Sequence, residues 1–192
     1  MVRAYTDEPL DPEAVLRILA AANRAPSAGF SQGYALLTLQ GHDQLDPFWE
    51  LMSSYHGAEE NAGRSFDPVT RAPLVIVPLS CKKVYLDRYA RADKGWTDHS
   101  ESHWPVPYWD IDTGFMALLM LLAAVDEGLG ALFFGIPPEL IGQFRELYGV
   151  PAEYLPIGAV AVGHSDPAAD QGGSSRVIKR KTLGDLVHQG RW

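Results

Sequence analysis

Apolar residues recur along one helical face between Asp11 and Arg24, at Val15, Leu16, Leu19 and Ala22, and they predict a helix over 11–24. Asp11 is a good N-cap, and Pro12 suits the first helical position, where its missing N–H goes unused. Tyr34 to Leu39 reads as a short apolar strand ended by Gly41. Within 43–62, the residues Pro47 to Met52 form a helical stretch, followed by an irregular segment that contains glycine. Leu74 to Val77 is apolar at every position, the pattern of a strand buried on both faces. Pro78 is expected to end that strand, because it cannot donate to a ladder. Residues 83–93 read as a helix and 94–108 as a long loop holding Trp96, His99, His103, Trp104, Pro105 and Pro107.

The strongest helix runs from roughly Trp109 to Glu127, and its apolar character all round predicts a central helix buried in the core. Gly128 and Gly130 stop it, in the manner of a helix C-cap leading into a strand over 131–134. A helix from Pro137-Pro138 to Gly149 and a core strand over 156–162 follow. Asp166 to Ser175 reads as a polar surface loop, and Thr182 to Gln189 as a short closing helix. Helices and strands mix without regular βαβ units, so the predicted class is α+β, with the whole of 1–192 in a single domain.

Composition narrows the possibilities. At 192 residues, 46% hydrophobic and 21% charged, the chain has the makeup of a soluble globular protein with a sizeable core. A formal net charge of −8 argues against a general nucleic-acid binder, which would carry a basic face. The cluster Arg176 to Lys181 is the basic exception. The single cysteine, Cys81, rules out an internal disulfide and fits a cytoplasmic protein. The first fifteen residues include Asp7, Glu8, Asp11 and Glu13, so no secretory signal is expected. The longest apolar run, Phe115 to Val125, has eleven residues, against about 20 for a membrane span.

The segment Ala25-Pro26-Ser27-Ala28-Gly29-Phe30-Ser31-Gln32 has eight residues where a chain reversal needs about four. Pro26 stops the preceding helix, and the small residues Ser27, Ala28, Gly29 and Ser31 would let a ligand approach the backbone. This pattern, a helix's length after Arg3-Ala4-Tyr5, resembles the nitroreductase family of FMN-dependent oxidoreductases. In that family the loop wraps the flavin ring, which implies Pro26, Ser27, Ala28, Phe30 and Gln32 as cofactor contacts. Family members usually carry Asn at the position of Phe30 and Pro-Trp at Gly33-Tyr34.

Two further signatures carry the resemblance. Asp112 to Ile136 is similar to the second core signature of the nitroreductases, and it implies that the backbone at Phe134 and Gly135 meets the polar edge of the flavin. The run Arg176-Val177-Ile178-Lys179-Arg180-Lys181 matches the family's basic-x-basic pair at Lys179 and Lys181, which binds the FMN phosphate. Arg180 joins them on spacing. Arg3 matches a basic residue beside the N1–O2 edge of the flavin, where a cation stabilises the reduced ring. An Arg-Arg-Ser type triplet usually lies just upstream. Met1 falls inside that motif, so phosphate binding is expected to rest on the basic cluster and the Ser27 loop.

The resemblance implies a nitroreductase-like fold with a mostly antiparallel sheet between helices, and a homodimer whose flavin sites use both chains. It also implies ping-pong chemistry, in which NAD(P)H reduces FMN and a small aromatic or quinone-like electron acceptor takes the electrons in the same cleft. No catalytic side chain, metal, nucleic acid or membrane is called for. Two rival readings stay open: a flavin-sequestering protein of this fold with little turnover, and a deazaflavin-binding module.

Other patterns are weaker. Gly128-Leu129-Gly130 with Gly135 follows a helix rather than a strand and has its third glycine late, so it is not a dinucleotide fingerprint. His99 and His103 match a zinc helix only loosely. Ser80-x-x-Lys83 lacks the accompanying acyl-transfer motifs, and Cys81 reads as a packing residue. Trp96, Trp104, Tyr108 and Trp109 are either a substrate lid or a set of packed rings.

Overall fold

The structure, a computed structural model, describes residues 1–55, 67–170 and 173–192. The irregular segment expected after the 43–62 helical stretch lies largely outside the described residues. Five strands form one antiparallel sheet: β1 (Tyr34–Gln40), β2 (Leu74–Ser80), β3 (Gly130–Phe134), β4 (Leu155–Pro156) and β5 (Ala159–Gly163). Their order is β1-β2-β5-β3, with β4 pairing the end of β2. The helices are α1 (Pro12–Ala22), α2 (His42–Ser53), α3 (Asp67–Thr70), α4 (Lys82–Tyr89), α5 (Tyr108–Asp126) and α6 (Ile141–Tyr148). The class is α+β.

The pleat of β2 divides the core. Val75, Val77 and Leu79 point to a cluster containing Phe48 and Trp49 of α2 and Phe144 of α6. Leu74 and Ile76 point the other way, onto Val15 and Ile18 of α1 and Met116 and Met120 of α5. Burying both faces explains why this strand reads as continuously apolar. Tyr148 ties α6 to α2 by donating its hydroxyl to the Gln44 carbonyl at 2.8 Å, and burial pushes that phenol up to about 12.

Pro78 does not end β2, which runs on to Ser80. β5 pairs Leu74 to Ile76 and β4 pairs Leu79 and Ser80, so the ladder on that side is interrupted beside Pro78. The Pro78 carbonyl faces the gap and accepts from the Ile157 N–H at 3.1 Å. In a strand a residue's N and C=O point the same way, so the proline nitrogen faces the break, where no donor is required. The strand expected over 156–162 is split at this break, at Ile157 and Gly158. Gly158 has φ 152, and a Cβ there would lie 2.5 Å from the Phe133 ring and 2.7 Å from the Phe134 carbonyl.

The ends of α5 follow the expected chemistry. Gly128 has φ 72, and the Leu129 N–H reaches back to the Ala124 carbonyl at 2.8 Å. Its middle differs from the expectation of a helix buried all round. Asp112, Thr113, Met116, Ala117, Met120 and Ala124 are buried, while Ile111, Phe115, Leu118, Leu122 and Val125 are exposed. The exposed set repeats every four and then three residues, the seam spacing of paired helices. Among the described residues α5 alone is long and apolar enough, at 19 residues and mean hydropathy 1.4, to cross a bilayer by length and composition. Its buried face packs on α1 and the sheet. The closing helix shrinks to one 3₁₀ turn, Leu183–Asp185, held by a capping box between Thr182 and Asp185.

Gly158→Ala should lower unfolding free energy by about 2 kcal/mol or more, combining a forbidden backbone region with overpacking. Urea denaturation measures it, and an unchanged midpoint would contradict the close approach at the strand break.

Candidate functional site

The loop after α1 is built from short polar links and a strained backbone. Ser27 is extended and leads into one 3₁₀ turn, Ala28–Phe30. Gly29, Phe30 and Gln32 have φ of 59, 52 and 53, all in the left-handed region. The Gln32 N–H donates to Ser27 Oγ at 3.0 Å, and Ser31 Oγ donates to the Ala28 carbonyl at 2.6 Å.

Two struts hold this shape. Asp112, 3% exposed near the start of α5, accepts from the Ala28 N–H and the Tyr85 hydroxyl, each at 2.8 Å. Burial, then the bond to Asp112, pushes the Tyr85 phenol well above its ordinary value, so it stays a donor. On the other side Arg88 donates Nε to the Gly29 carbonyl at 3.0 Å. Its two remaining nitrogens fork onto Asp93 at 2.8 and 2.7 Å, which holds the Asp93 carboxyl below its usual range. Asp112, Tyr85 and Arg88 escaped the reading of the sequence; a lone acid inside the apolar α5 was the available signal.

The loop glycine has a reason other than ligand approach. A Cβ at Gly29 would lie 2.8 Å from the Tyr89 ring, and one at Gly33 would lie 2.6 Å from the Tyr85 ring. These positions are small because α4 aromatics pack beneath the loop. On its outer side Pro26, Phe30 and Gln32 are exposed, and Ser27 and Ala28 are half-buried.

The other residues singled out from the sequence lie elsewhere. Phe134 and Gly135 leave β3, the edge of the sheet opposite β1, three strand spacings or about 14 Å away. The Phe134 ring stacks on Trp49 at 5.8 Å, while the Gly135 main chain is exposed with nothing within 4 Å of a Cβ position. Arg3 lies beyond the other end of β3, where Val2 donates to the Ala131 carbonyl at 3.0 Å. The Arg3 guanidinium lies against Gly173, whose added Cβ would be 2.5 Å from Cζ. Lys179, Arg180 and Lys181 belong to a segment, 174–192, that is exposed throughout, and none pairs with a carboxylate among the described residues. One chain therefore keeps the loop and Gly135 apart by the width of the sheet, while Arg3 meets the start of the basic segment, because the Arg3 N–H and the Arg176 guanidinium both donate to Asp170.

Between Trp96 and Trp109 the rings pack on each other. Trp104 sits among Tyr89, Trp96, Tyr108 and Trp109 with centroids 4.5 to 6.0 Å away. Its indole Nε1 is buried without a hydrogen-bond partner. His103 pairs with Asp98 at 2.9 Å and His99 with Asp87 at 3.4 Å, so the two histidines diverge. Among the described residues no three His, Cys, Asp or Glu side chains converge. Ser80 donates to Asp110 at 2.6 Å and Lys83 pairs with Asp87, which separates the Ser-x-x-Lys pair.

The described antiparallel sheet and helices superpose on solved nitroreductases. One, the FMN-dependent nitroreductase of Clostridium difficile, gives a TM-score of 0.69 at 19% identity, covering 100% of this chain and 94% of that one. The nitroreductase CinD of Lactococcus lactis, solved with chloramphenicol, gives 0.71 at 20% identity, covering 95% of each chain. A protein of Archaeoglobus fulgidus named "Putative NADH dehydrogenase/NAD(P)H nitroreductase" is 25% identical over 171 residues, 88% of this chain and 82% of its own. The model of the nitroreductase family matches residues 1–164. The chain belongs to the nitroreductase family.

In this nitroreductase, Asp112→Ala would strand the Ala28 N–H and the Tyr85 hydroxyl, and should lower stability by about 2–4 kcal/mol. Adding Tyr85→Phe should recover part of that loss in urea denaturation; a purely additive double variant would deny the shared acceptor. The Arg88 strut is pH-dependent with a definite sign. A carboxyl depressed in the folded state stabilises above its unfolded value and ceases to do so as pH falls through the folded one. Asp93→Asn should therefore be less stable than the parent at neutral pH, and the difference should vanish in acid below the ordinary carboxylate range. A pH-independent difference would contradict it.

Proposed function

We propose that this nitroreductase is an FMN-dependent NAD(P)H oxidoreductase acting on a small aromatic or quinone-like acceptor, as a cytoplasmic homodimer with flavin sites shared between chains. The observation that carries the reading is the pairing of separated pocket walls with uncovered apolar surface. The α5 stripe from Ile111 to Val125 and the exposed Val177, Ile178, Leu183, Leu186, Val187 and Trp192 need cover that one chain does not provide. A second copy would supply it, laying the segment 174–192 of each chain against its partner. The relatives named as an NAD(P)H nitroreductase and an FMN-dependent nitroreductase support the chemistry. CinD, solved with nicotinic acid and with chloramphenicol, supports a small-molecule acceptor. The free, buried Cys81 suits a reducing compartment.

The residues present fit FMN. Gly135 offers open main chain for a flat ring, and Lys179, Arg180 and Lys181 are exposed cations with no carboxylate partner among the described residues, free to meet a phosphate. When bound, the flavin supplies the redox-active N5 that accepts hydride from NAD(P)H and passes it to the acceptor. Pro26, Ser27, Ala28, Phe30 and Gln32 would wall the ring, held in shape by the Asp112 and Arg88 struts. Phe134 would fix the Gly135 backbone through its stack on Trp49. Arg3 would set a positive charge beside the ring. Reductant and acceptor would enter one cleft in turn, and neither step calls for an acid or base from the protein.

The test is a visible spectrum of the purified protein, followed by anaerobic titration with NADH and NADPH. Yellow protein bleached by either donor is expected. Colourless protein that gains no thermal stability from FMN would sink the reading, since ligand at about 100 times its dissociation constant adds about 2.7 kcal/mol. Lys179→Ala with Lys181→Ala should weaken FMN far more than riboflavin; equal losses would remove the phosphate role. Leu118→Asp with Leu122→Asp should give monomers in sedimentation and lose flavin. A dimer that survives both substitutions would put the interface elsewhere.

A further inference from the structure

Between the loop at 29–32 and α4 lies an open groove of about 770 Å³, with Asp87, Arg88, Arg91 and Asp93 on its far wall. Its size falls in the range of roughly 300–1,000 Å³ common to small-molecule sites. We propose that this groove binds a flat aromatic carboxylate, with the ring against Phe30 and the carboxylate on Arg91. The proposal rests on the functional reading above only in making that ligand the acceptor; the binding itself does not require flavin.

Phe30 supplies the first argument. Its side chain is 74% exposed, and its φ of 52 is one that bulky residues rarely adopt. A strained backbone that holds an aromatic ring out in solvent does nothing for the fold of this chain. It is maintained by the hydrogen bonds on Gly29 and Ala28, which fix the ring at the groove's edge.

The charges supply the second. Arg88 is spent on Asp93 and the Gly29 carbonyl. Asp87 is met by Lys83 and by His99. Arg91 remains, and among the described residues no ion pair or hydrogen bond uses its guanidinium. The groove therefore carries one cation and one ring that have no partner among the described residues. A guanidinium takes a carboxylate through two parallel hydrogen bonds, and a flat ring stacks on Phe30. A neutral ligand would leave the Arg91 guanidinium unused, and a cationic one would find both carboxylates already paired.

The probes are 4-nitrobenzoate and its uncharged match 4-nitrobenzamide, titrated calorimetrically into the purified full chain. The parent protein should bind the carboxylate about tenfold more tightly than the amide. Arg91→Ala should erase that preference and Arg91→Lys should restore part of it. Phe30→Asn places a residue suited to the left-handed region, so melting should not fall while both probes weaken severalfold. No preference in the parent, an unchanged preference in Arg91→Ala, or unchanged constants in Phe30→Asn would each overturn the proposal. Because binding is read without turnover, colourless protein that still discriminates the probes would refute the flavin reading and leave the groove standing. Yellow, reducible protein without discrimination would refute the groove alone.

Discussion

A single buried oxygen, Asp112 Oδ2, joins three parts of the molecule that are far apart in the chain. It accepts from Ala28 in the loop after α1 and from Tyr85 in α4, while its own residue lies near the start of α5. A carboxylate buried to this extent is unfavourable unless it is hydrogen-bonded, so these donors and the acid depend on one another. The Tyr85 ring in turn fills the space where a Cβ of Gly33 would stand, at the entry to β1. The position of the loop relative to the sheet therefore follows from one hydrogen-bonded junction rather than from the turn's own propensity. Arg88 adds a clamp from outside, and between them the struts hold Gly29, Phe30 and Gln32 in left-handed conformations.

The same helix that provides Asp112 presents opposite demands on its two sides. Its inner face packs Met116 and Met120 against the sheet and α1. Its outer face leaves an apolar seam in water, next in kind to the apolar side chains of 174–192. Both surfaces suit burial against a second chain, which is what the proposed function assigns to them.

Much of the fold was legible in local pattern. The helix after Asp11, the continuous apolar run at Leu74 to Val77, and Gly128 as a cap each appear in the structure as read, although the buried face of that helix holds Val15, Ile18 and Ala22 and leaves Leu16 exposed. These features depend on residues within a turn or two, so the sequence displays them directly. Pro78 misled because its tolerance depends on the break between β4 and β5, nearly eighty residues away. The burial of α5 misled because composition states how apolar a helix is, not which side has a neighbour. The loop was singled out for close approach of a ligand, whereas its Gly29 answers to Tyr89, and the Gly33 that follows answers to Tyr85.

By itself the sequence determined most of the elements, the α+β class and the three family signatures, because each rests on short-range periodicity, turn chemistry or fixed local spacing. Tertiary structure decided the rest: that Asp112 is a junction, that Arg88 is spent while Arg91 has no partner among the described residues, and that the loop and Gly135 lie at opposite edges of the sheet. Those outcomes depend on hydrogen bonds and contacts between residues many positions apart. Which distant donor reaches which acceptor is set only when the elements pack, and no local pattern records it.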